Sequence, residues 1–190
     1  IMTQTETVTR MSLEERVRPV LYINKIDRLI KELRLTPEKM QETLASVVAN
    51  FNQLIDTYAE EEYKEKWKVS IQDGSVTFGS AKDRWAINVD IMKKKGVTFK
   101  DVIDAYSDSG KVEDLVEKAP LAEAVLGMVV KHHPPPHVAQ KYRIPKIWKG
   151  DLESDLGKSI LNCDVNGPTI MMIVNMTIDP AAGPVAIGRL

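Results

Sequence analysis

The pattern of apolar positions after Thr36 predicts one long amphipathic helix. Apolar side chains recur there at intervals of three and four residues, which places them on one stripe of a helix. Thr36 supplies an N-cap hydroxyl, Pro37 suits the first helical position, and Glu38 adds an acid to the first turn. The stripe consists of Met40, Leu44, Val47, Val48, Phe51, Leu54, Ile55 and Tyr58. We interpret it as a face that packs into the core.

A strand between two helices is predicted nearer the start of the chain. Thr3–Arg16 has the pattern of a polar-rich helix, and Val17–Ile23 is an apolar run of the kind found in strands that are buried on both faces of a parallel sheet. The run ends at the polar segment Asn24–Asp27, and a helical pattern follows over Arg28–Leu33. Strand, polar turn and helix form the βα unit of an open α/β sheet, which binds ligands at the carboxyl ends of its strands.

A hairpin is predicted in the middle of the chain. Val69–Gln72 and Val76–Phe78 have the composition of strands and flank the pair Asp73-Gly74, which favours a tight primed turn. The segment Gly79–Lys82 follows the second strand directly.

Two more helices follow the predicted hairpin. Thr98–Tyr106 begins at a capping threonine, and Asp101 stands three residues later as its partner in a capping box. Ala122–Lys131 is the second helix, and we expect its apolar residues Val125, Leu126 and Val129 to pack inward.

The prolines Pro134–Pro136 are expected to stop the preceding helix, because proline lacks a backbone N–H and clashes with the preceding turn. The basic segment 134–150 is therefore predicted to be a stiff, extended connector.

The end of the chain has a different character. Ile170–Ile178 is a long run of strand type, Asp179–Gly183 is a turn, and Val185–Arg189 is a return strand. We interpret this hairpin as the opening of an all-β domain. The predicted boundary lies near Cys163, between domains 1–162 and 163–190.

The composition narrows the class of protein. The chain has 190 residues, of which 43% are apolar, so it can bury an ordinary globular core. Lys and Arg number 26 against 27 Asp and Glu, which excludes a protein that grips nucleic acid by bulk charge. A single cysteine excludes an internal disulfide, and the longest apolar stretch, Ile170–Val174, is too short to cross a bilayer. We expect a cytoplasmic protein with no membrane partner. Since the chain starts at Ile1 and ends inside a predicted strand, we also expect an internal piece of a longer protein.

The segment Asn24–Asp27 has the chemistry to recognise guanine. Guanine presents two adjacent donors, N1–H and its exocyclic amine, and the carboxylate of Asp27 is the matching pair of acceptors. Adenine lacks both donors, so the same carboxylate rejects it. Asn24 can donate its amide to the opposite edge of the base and tie neighbouring loops together, while Lys25 can lay its aliphatic stem over the purine. The alternative is an ordinary polar turn in which Asp27 caps the helix.

A second segment, Ser80-Ala81-Lys82, also follows a predicted strand. The small Ala81 lets a backbone N–H approach the base carbonyl, Ser80 can bond the Asp27 carboxylate, and Lys82 could cover the other purine face. The alternative is that Ser80 is a helix N-cap, which is compatible with either reading.

The three histidines His132, His133 and His137 surround the proline run. We interpret them as solvent-exposed linker residues. A metal site is the weaker alternative, because three histidines without an arranged carboxylate or thiolate seldom suffice.

The chain from Met2 to Leu190 closely resembles translation elongation factor 2 in its archaeal form. The resemblance is carried, in the family's order, by the segments MTQTETVTR, RPVLYINKIDRLIKELRLTPEKM, VTFGSAKDRWA, HHPPPHVAQKYRIPKIW and NMTIDPAAGPVAIGR. Unrelated GTPases do not share the long insert between NKID and FGSA, nor the segment PPPHVAQKYR.

The resemblance implies a fold and a set of site residues. The expected fold is α/β: part of a parallel sheet of P-loop GTPase type with a helical and hairpin insert over residues 35–76, followed by the first strands of an all-β barrel, domain II. The residues that align with the family's guanine-binding motifs are Asn24, Lys25, Asp27, Ser80, Ala81 and Lys82.

The resemblance also implies a function. Elongation factor 2 is a GTPase that moves tRNA and mRNA through the ribosome, so GTP and GDP are the expected ligands, and Mg²⁺ is expected in the intact protein through ligands outside this chain. Its expected partners are ribosomal RNA and the ribosomal stalk protein, with tRNA and mRNA contacted indirectly. The sequence contains no G-x-x-x-x-G-K-[ST] pattern and no switch threonine or D-x-x-G before Asn24, so we expect no catalytic residue here and no GTPase activity from these 190 residues alone. Open sheet edges lead us to expect self-association of the isolated chain.

Two other functions stay open at this point. One is a related translational GTPase, such as a release or recycling factor, although the insert length and VAQKYRIPKIW argue against it. The other is a non-catalytic module that docks the ribosome or its stalk protein, which an exposed apolar groove near the Met40–Tyr58 helix would support.

Overall fold

A computed structural model describes residues 3–33, 35–107 and 111–190 of the chain. The chain divides into two units, Ile1–Pro134 and Pro135–Leu190. The first contains α1 (Thr3–Glu14), β1 (Leu21–Ile23), α2 (Ile26–Lys31), α3 (Pro37–Tyr58), α4 (Glu61–Trp67), β2 (Val76–Ser80), β3 (Trp85–Ile87), α5 (Val89–Lys95), α6 (Phe99–Ala105), α7 (Val112–Lys118) and α8 (Leu121–His132). The second contains α9 (Pro136–Ile147), α10 (Asp155–Asn162), β4 (Met172–Asp179) and β5 (Gly183–Arg189).

A three-stranded sheet in the order β1-β2-β3 organises the first unit. β1 and β2 run parallel, and β2 and β3 run antiparallel. Every residue of β2 and β3 is buried, and α2, α5, α7 and α8 contact these two strands. The α/β class expected from the sequence is confirmed. The assignment to a P-loop GTPase sheet is finer than this topology and stays a prediction.

The first strand is shorter than its apolar run. β1 covers Leu21–Ile23 rather than Val17–Ile23, and its three residues are half-buried rather than fully buried. Pro19 cannot donate to a sheet ladder, which explains why pairing starts only at Leu21. In the described part of the chain β1 pairs on one side, with β2.

The outer edge of β3 is covered by the chain itself. The Ala86 N–H donates to the Ala119 carbonyl over 3.0 Å, and the Leu121 N–H donates to the Arg84 carbonyl over 3.0 Å. These bonds place the segment before α8 alongside β3, so this edge of the sheet is not open in the described part of the chain. Self-association through other edges stays a prediction.

The predicted long helix is confirmed as α3. The Thr36 hydroxyl accepts a hydrogen bond from the Lys39 N–H, and Pro37 occupies the first turn. Met40, Leu44, Phe51 and Ile55 are buried and the other four stripe residues are half-buried, so the whole stripe packs inward. The capping box of Thr98 and Asp101 at the start of α6 is confirmed in the same way.

The predicted hairpin around Asp73-Gly74 is wrong, because Val69–Gln72 is not a strand. Side chains hold this segment instead. Asn52 bonds both backbone groups of Val69, and the Ser75 hydroxyl accepts from the Ser70 N–H over 2.8 Å and donates to the Asp73 carboxylate over 2.6 Å. With its polar backbone groups paired in this way, the segment needs no ladder with β2. The assignment of residues 35–76 to an inserted subdomain stays a prediction.

The predicted extended connector over residues 134–150 is also wrong, because Pro136–Ile147 forms the helix α9. Prolines disrupt helix interiors, but Pro136 lies in the first turn, where the missing N–H has no intrahelical partner to lose. Pro145 lies near the other end of α9. The two compact units divide at Pro134/Pro135. The domain boundary near Cys163 stays a prediction.

The inward face of α8 differs in part from the one expected. Val125 is half-buried, but Leu126 is 62% exposed and Val129 36% exposed, whereas Ala124, Met128 and His132 are buried. Apolar residues lie on all sides of this helix, so periodicity cannot select a face. The packed face is the one that includes the small Ala124, whose carbonyl accepts a hydrogen bond from Asn88.

His132 is a buried residue and not the exposed linker histidine that we expected. Its side chain is 6% exposed, and in the described ranges its Nε2 is the buried side-chain polar atom left without a hydrogen-bond partner. Burial lowers the pKa of His132, opposed in part by the nearby charge of Asp73 and reinforced by Arg18 and Lys131. His133 is half-buried and His137 exposed.

We expect His132 to make the stability of the first unit depend on pH. Because the folded pKa lies below the ordinary value of about 6.5, the folded chain binds fewer protons than the unfolded chain just below that pH. The free energy of unfolding should therefore fall as the pH drops from about 7 to about 5, and His132→Gln should flatten this dependence. Urea unfolding at several pH values measures it, with the exposed His137→Gln as the control. Equal slopes for the two variants would contradict the expectation.

The end of the second unit agrees with the sequence. β4 and β5 form an antiparallel hairpin, with Gly183 at φ 77° at the turn and Asp179 accepting from the Ala181 and Ala182 N–H groups. Whether the hairpin opens a barrel over residues 163–190 stays a prediction.

None of the helices within the described residues combines the length and the apolar composition needed to cross a membrane.

Candidate functional site

The two predicted guanine-binding segments lie at the same edge of the sheet. Asn24 follows β1, and Ser80 ends β2, which runs parallel to β1 with Ile23 opposite Phe78. Carboxyl ends of neighbouring parallel strands meet at one edge, and that is where open α/β sheets bind ligands. The fold therefore brings together two segments that are far apart in sequence.

Asn24 connects the two loops directly. Its Oδ1 accepts hydrogen bonds from the Lys25 N–H over 2.8 Å and from the Ala81 N–H over 2.9 Å. The Tyr22 hydroxyl lies 3.4 Å from the same oxygen. A carbonyl oxygen has two lone pairs, so the two backbone bonds account for its main acceptor capacity. The loop-tying role expected of Asn24 is thus seen in the structure.

Lys25 adopts an unusual backbone conformation. Its φ is 68° and its ψ 32°, in the left-handed region, and its side chain is exposed. A non-glycine residue in this region costs about 1–2 kcal/mol. The bond from the Lys25 N–H to Asn24 helps to hold this turn, so the strain and the loop connection occur at adjacent residues.

Asp27 is a buried carboxylate in the first turn of α2, with 7% of its surface exposed. No described residue donates a side-chain hydrogen bond to it. Burial raises the pKa of the Tyr22 hydroxyl, and the nearby charge of Asp27 raises that pKa further. The residue as a whole is largely buried, but its carboxylate oxygens are not among the described buried polar atoms that lack a partner, so they are accessible and can accept hydrogen bonds from a ligand.

The second loop is arranged partly as expected. Ala81 and Lys82 are exposed, and Ser80 is fully buried. The Ser80 hydroxyl accepts a hydrogen bond from the Asp83 N–H over 3.1 Å. Among the described contacts there is no hydrogen bond between Ser80 and Asp27, so that suggested pairing is not seen.

Three residues behind this loop were missed by the sequence analysis. The Trp85 indole N–H donates to the Tyr106 hydroxyl over 2.7 Å, and Tyr106 in turn donates to the Asp83 carboxylate over 2.6 Å. The only available signal was general: buried Trp and Tyr usually find partners for their polar atoms. No short motif connects Tyr106 to residues some twenty positions earlier.

Other features near the loops do not contribute to the base site. A shallow depression of about 550 Å³ adjoins Lys82 and is lined also by Lys31, Asp83 and Arg84, but not by Asn24 or Asp27. Within residues 3–33, 35–107 and 111–190, no group of three His, Cys, Asp or Glu side chains is arranged to hold a metal ion.

The chain is similar to a known family over most of its length. The model of the elongation factor Tu GTP binding domain matches residues 1–135. Elongation factor 2 from Cenarchaeum symbiosum is 82% identical over 190 residues, which is 100% of this chain and 26% of that protein. Elongation factor 2 from Sulfurisphaera tokodaii is 57% identical and that from Saccharolobus solfataricus 56% identical, each over 192 residues with the same two coverages.

These similarities confirm the resemblance to archaeal elongation factor 2 that the sequence segments indicated. The chain spans about a quarter of the length of the curated relatives that it matches. With the family model covering residues 1–135, the chain belongs to the elongation factor Tu GTP binding domain family.

Proposed function

We propose that this chain supplies the base-recognition part of a guanine-nucleotide site in a longer translational GTPase of the elongation factor 2 type. The 2.9 Å hydrogen bond between Asn24 Oδ1 and the Ala81 N–H carries the proposal. It joins the two segments whose chemistry suits a purine, at the sheet edge where such ligands bind.

The base is recognised by complementary donors and acceptors. Asp27, buried and with free acceptor capacity, accepts from guanine N1–H and the exocyclic amine. The Ala81 N–H meets the base carbonyl, and the exposed stems of Lys25 and Lys82 cover the two purine faces. Ser80 supports the Ala81 turn through its bond with Asp83.

The phosphates and Mg²⁺ require residues that this chain does not contain. The sequence has no phosphate-binding loop pattern, and among the described residues no three His, Cys, Asp or Glu side chains are grouped as metal ligands. In our proposal, hydrolysis of GTP and translocation of tRNA and mRNA on the ribosome belong to the longer protein. Contacts with ribosomal RNA and the stalk protein are proposed for that protein as well.

The alternative of a docking module at the Met40–Tyr58 helix is not favoured. An exposed apolar groove would support it, but the apolar stripe of α3 is buried or half-buried. Its side chains are therefore committed to packing within the first unit.

Replacing Asn24 tests the proposed site. We expect Asn24→Ala to weaken GDP binding by about tenfold or more, because the bond that holds the Lys25 turn and the bond that joins the two loops are lost, and binding must then order loops that Asn24 holds in place before the base arrives. Equilibrium titration of the full-length factor with a fluorescent GDP analogue measures this.

Asn52→Ala is the matched control. Asn52 also bonds two backbone groups, the N–H and the carbonyl of Val69, but it lies on α3. It should reduce stability and leave GDP affinity unchanged. Equal affinities for the Asn24→Ala variant and the unaltered factor would remove the loop connection from the binding site.

A further inference from the structure

A chain of hydrogen bonds supports the loop that carries Ala81. The Trp85 indole N–H donates to Tyr106 Oη over 2.7 Å, and the Tyr106 hydroxyl donates to Asp83 Oδ2 over 2.6 Å. The Asp83 N–H then donates to Ser80 Oγ over 3.1 Å. This series of hydrogen bonds thus runs from the start of β3, through a residue at the end of α6, to the residue that precedes Ala81.

The direction of these bonds is fixed by the chemistry of the partners. An indole N–H can only donate, so the Tyr106 oxygen must accept from Trp85. An ionised carboxylate can only accept, so the Tyr106 proton must point to Asp83. Burial raises the pKa of Tyr106, and the bond with Asp83 raises it further, so the hydroxyl keeps its proton at any ordinary pH. Tyr106 is therefore a permanent link with a single orientation.

The turn that Tyr106 holds is one that needs support. Arg84 lies between Asp83 and Trp85 and has a φ of 61°, in the left-handed region that a non-glycine residue adopts only at an energetic cost. Tyr106 bonds the residues on both sides of it. Through these two hydrogen bonds, the Tyr106 hydroxyl therefore holds the side chains on both sides of the strained residue in the turn 81–84.

Tyr106 also contacts the other half of the site. Lys31 Nζ lies 4.6 Å from the centroid of the Tyr106 ring, in the geometry of a cation–π contact. Lys31 is the last residue of α2, the short helix that contains Asp27 in its first turn. The Tyr106 side chain thus contacts both α2, which contains Asp27, and the turn 81–84, which contains Ala81.

We propose that Tyr106 is a positioning residue for the guanine site: its hydroxyl fixes Asp83, and through Asp83 the turn that carries the Ala81 N–H, the donor assigned to the base carbonyl. The proposal rests on the proposed function. Tyr106 itself touches neither the base nor the phosphates.

Removal of the hydroxyl alone tests this role in the full-length factor. Tyr106→Phe keeps the ring that packs against Trp85 and Lys31 but loses both hydrogen bonds. We expect GDP to dissociate about three- to tenfold faster, measured by stopped-flow release of a fluorescent GDP analogue. The dissociation of the corresponding inosine diphosphate analogue should be accelerated by the same factor, because hypoxanthine carries the same carbonyl.

Tyr58→Phe is the matched control. It removes a hydrogen bond of the same kind, from a tyrosine hydroxyl to the Glu6 carboxylate over 2.7 Å, between α3 and α1. It should leave both dissociation rates unchanged, so a general loss of stability is distinguished from a loss of positioning. Equal acceleration by the two variants would overturn the proposal.

A double-mutant cycle tests whether Tyr106 acts through Asp83. Asp83→Ala removes the carboxylate and keeps the backbone N–H that bonds Ser80, and it should accelerate GDP release about as much as Tyr106→Phe. The double variant should be no faster than either single variant, whereas additive effects would overturn the route through Asp83. If Asp27→Asn weakens GDP binding but Tyr106→Phe and Asp83→Ala do not change GDP release, the positioning role fails alone. If Asp27→Asn also has no effect, the guanine site itself fails.

Discussion

Asp27→Asn in the full-length factor should weaken the binding of guanine nucleotides and allow the binding of xanthine nucleotides. The carboxylate that accepts from both guanine donors becomes an amide, which presents a donor where one acceptor stood. That donor faces the guanine amine but suits the carbonyl at position 2 of xanthine. The loss of one charge-assisted bond and the stranding of a buried donor should cost about 2–5 kcal/mol in GDP affinity. Competition between GDP and xanthosine diphosphate for the site measures the change.

Asp90→Asn provides the matched control, because Asp90 occupies the same second helical position in α5 that Asp27 occupies in α2. If Asp27 were only a favourable charge in the first turn of a helix, both substitutions would have small effects and neither would alter nucleotide choice. Unchanged GDP binding in Asp27→Asn, with no gain for the xanthine nucleotide, would remove Asp27 from the site.

Gly79→Ala should be the most destabilising of the small substitutions in the sheet. A Cβ on Gly79 would clash with the Trp85 carbonyl oxygen and lie 2.9 Å from Ala86 Cα, both backbone atoms of β3. Because β3 is buried on one side by β2 and held on the other by the segment before α8, it cannot move away freely. We expect a loss of about 3 kcal/mol in the free energy of unfolding, at the upper end of the effect of over-packing. Urea unfolding followed by far-ultraviolet circular dichroism measures it.

Gly127→Ala gives the opposite expectation within the same unit. Gly127 lies in α8, and a Cβ there would meet nothing within 4 Å. Alanine should therefore stabilise the chain by about 0.5–1 kcal/mol, because it restricts the unfolded chain and favours the helix. A Gly79→Ala variant as stable as Gly127→Ala would show that β3 can shift to accept the methyl group.

The elements that the sequence predicted correctly are those whose signals are local. α3 and α6 begin with a hydroxyl cap, and the β4–β5 hairpin has a long run of strand type on one side of its turn. The expectation that the segments beginning at Asn24 and at Ser80 each follow a strand also needed only the order of strand and loop. In each case the deciding interactions span a few residues or follow from a general rule of α/β sheets.

The features that could not be predicted depend on distant partners. Val69–Gln72 has strand composition, yet the Asn52 side chain and the Ser75 hydroxyl pair with its backbone groups, and no ladder with β2 forms. His132 is buried because α8 packs a face of mixed polarity against the sheet. The helix sequence alone does not identify that face. The link from Trp85 through Tyr106 to Asp83 joins residues on different elements, and no periodicity encodes such a link.

The bond between Asn24 and the Ala81 N–H has a consequence for how tightly any base can be held. In the proposed complex the Ala81 N–H turns to the base carbonyl, so it must first give up its partner inside the protein. The net gain is then the difference between two similar bonds, and it is much smaller than the value of either one. When the base dissociates, the same N–H donates to Asn24 again, so dissociation leaves no backbone donor without a partner. The loop pair thereby favours reversible exchange of nucleotide over permanent retention, while the choice among bases is left to Asp27.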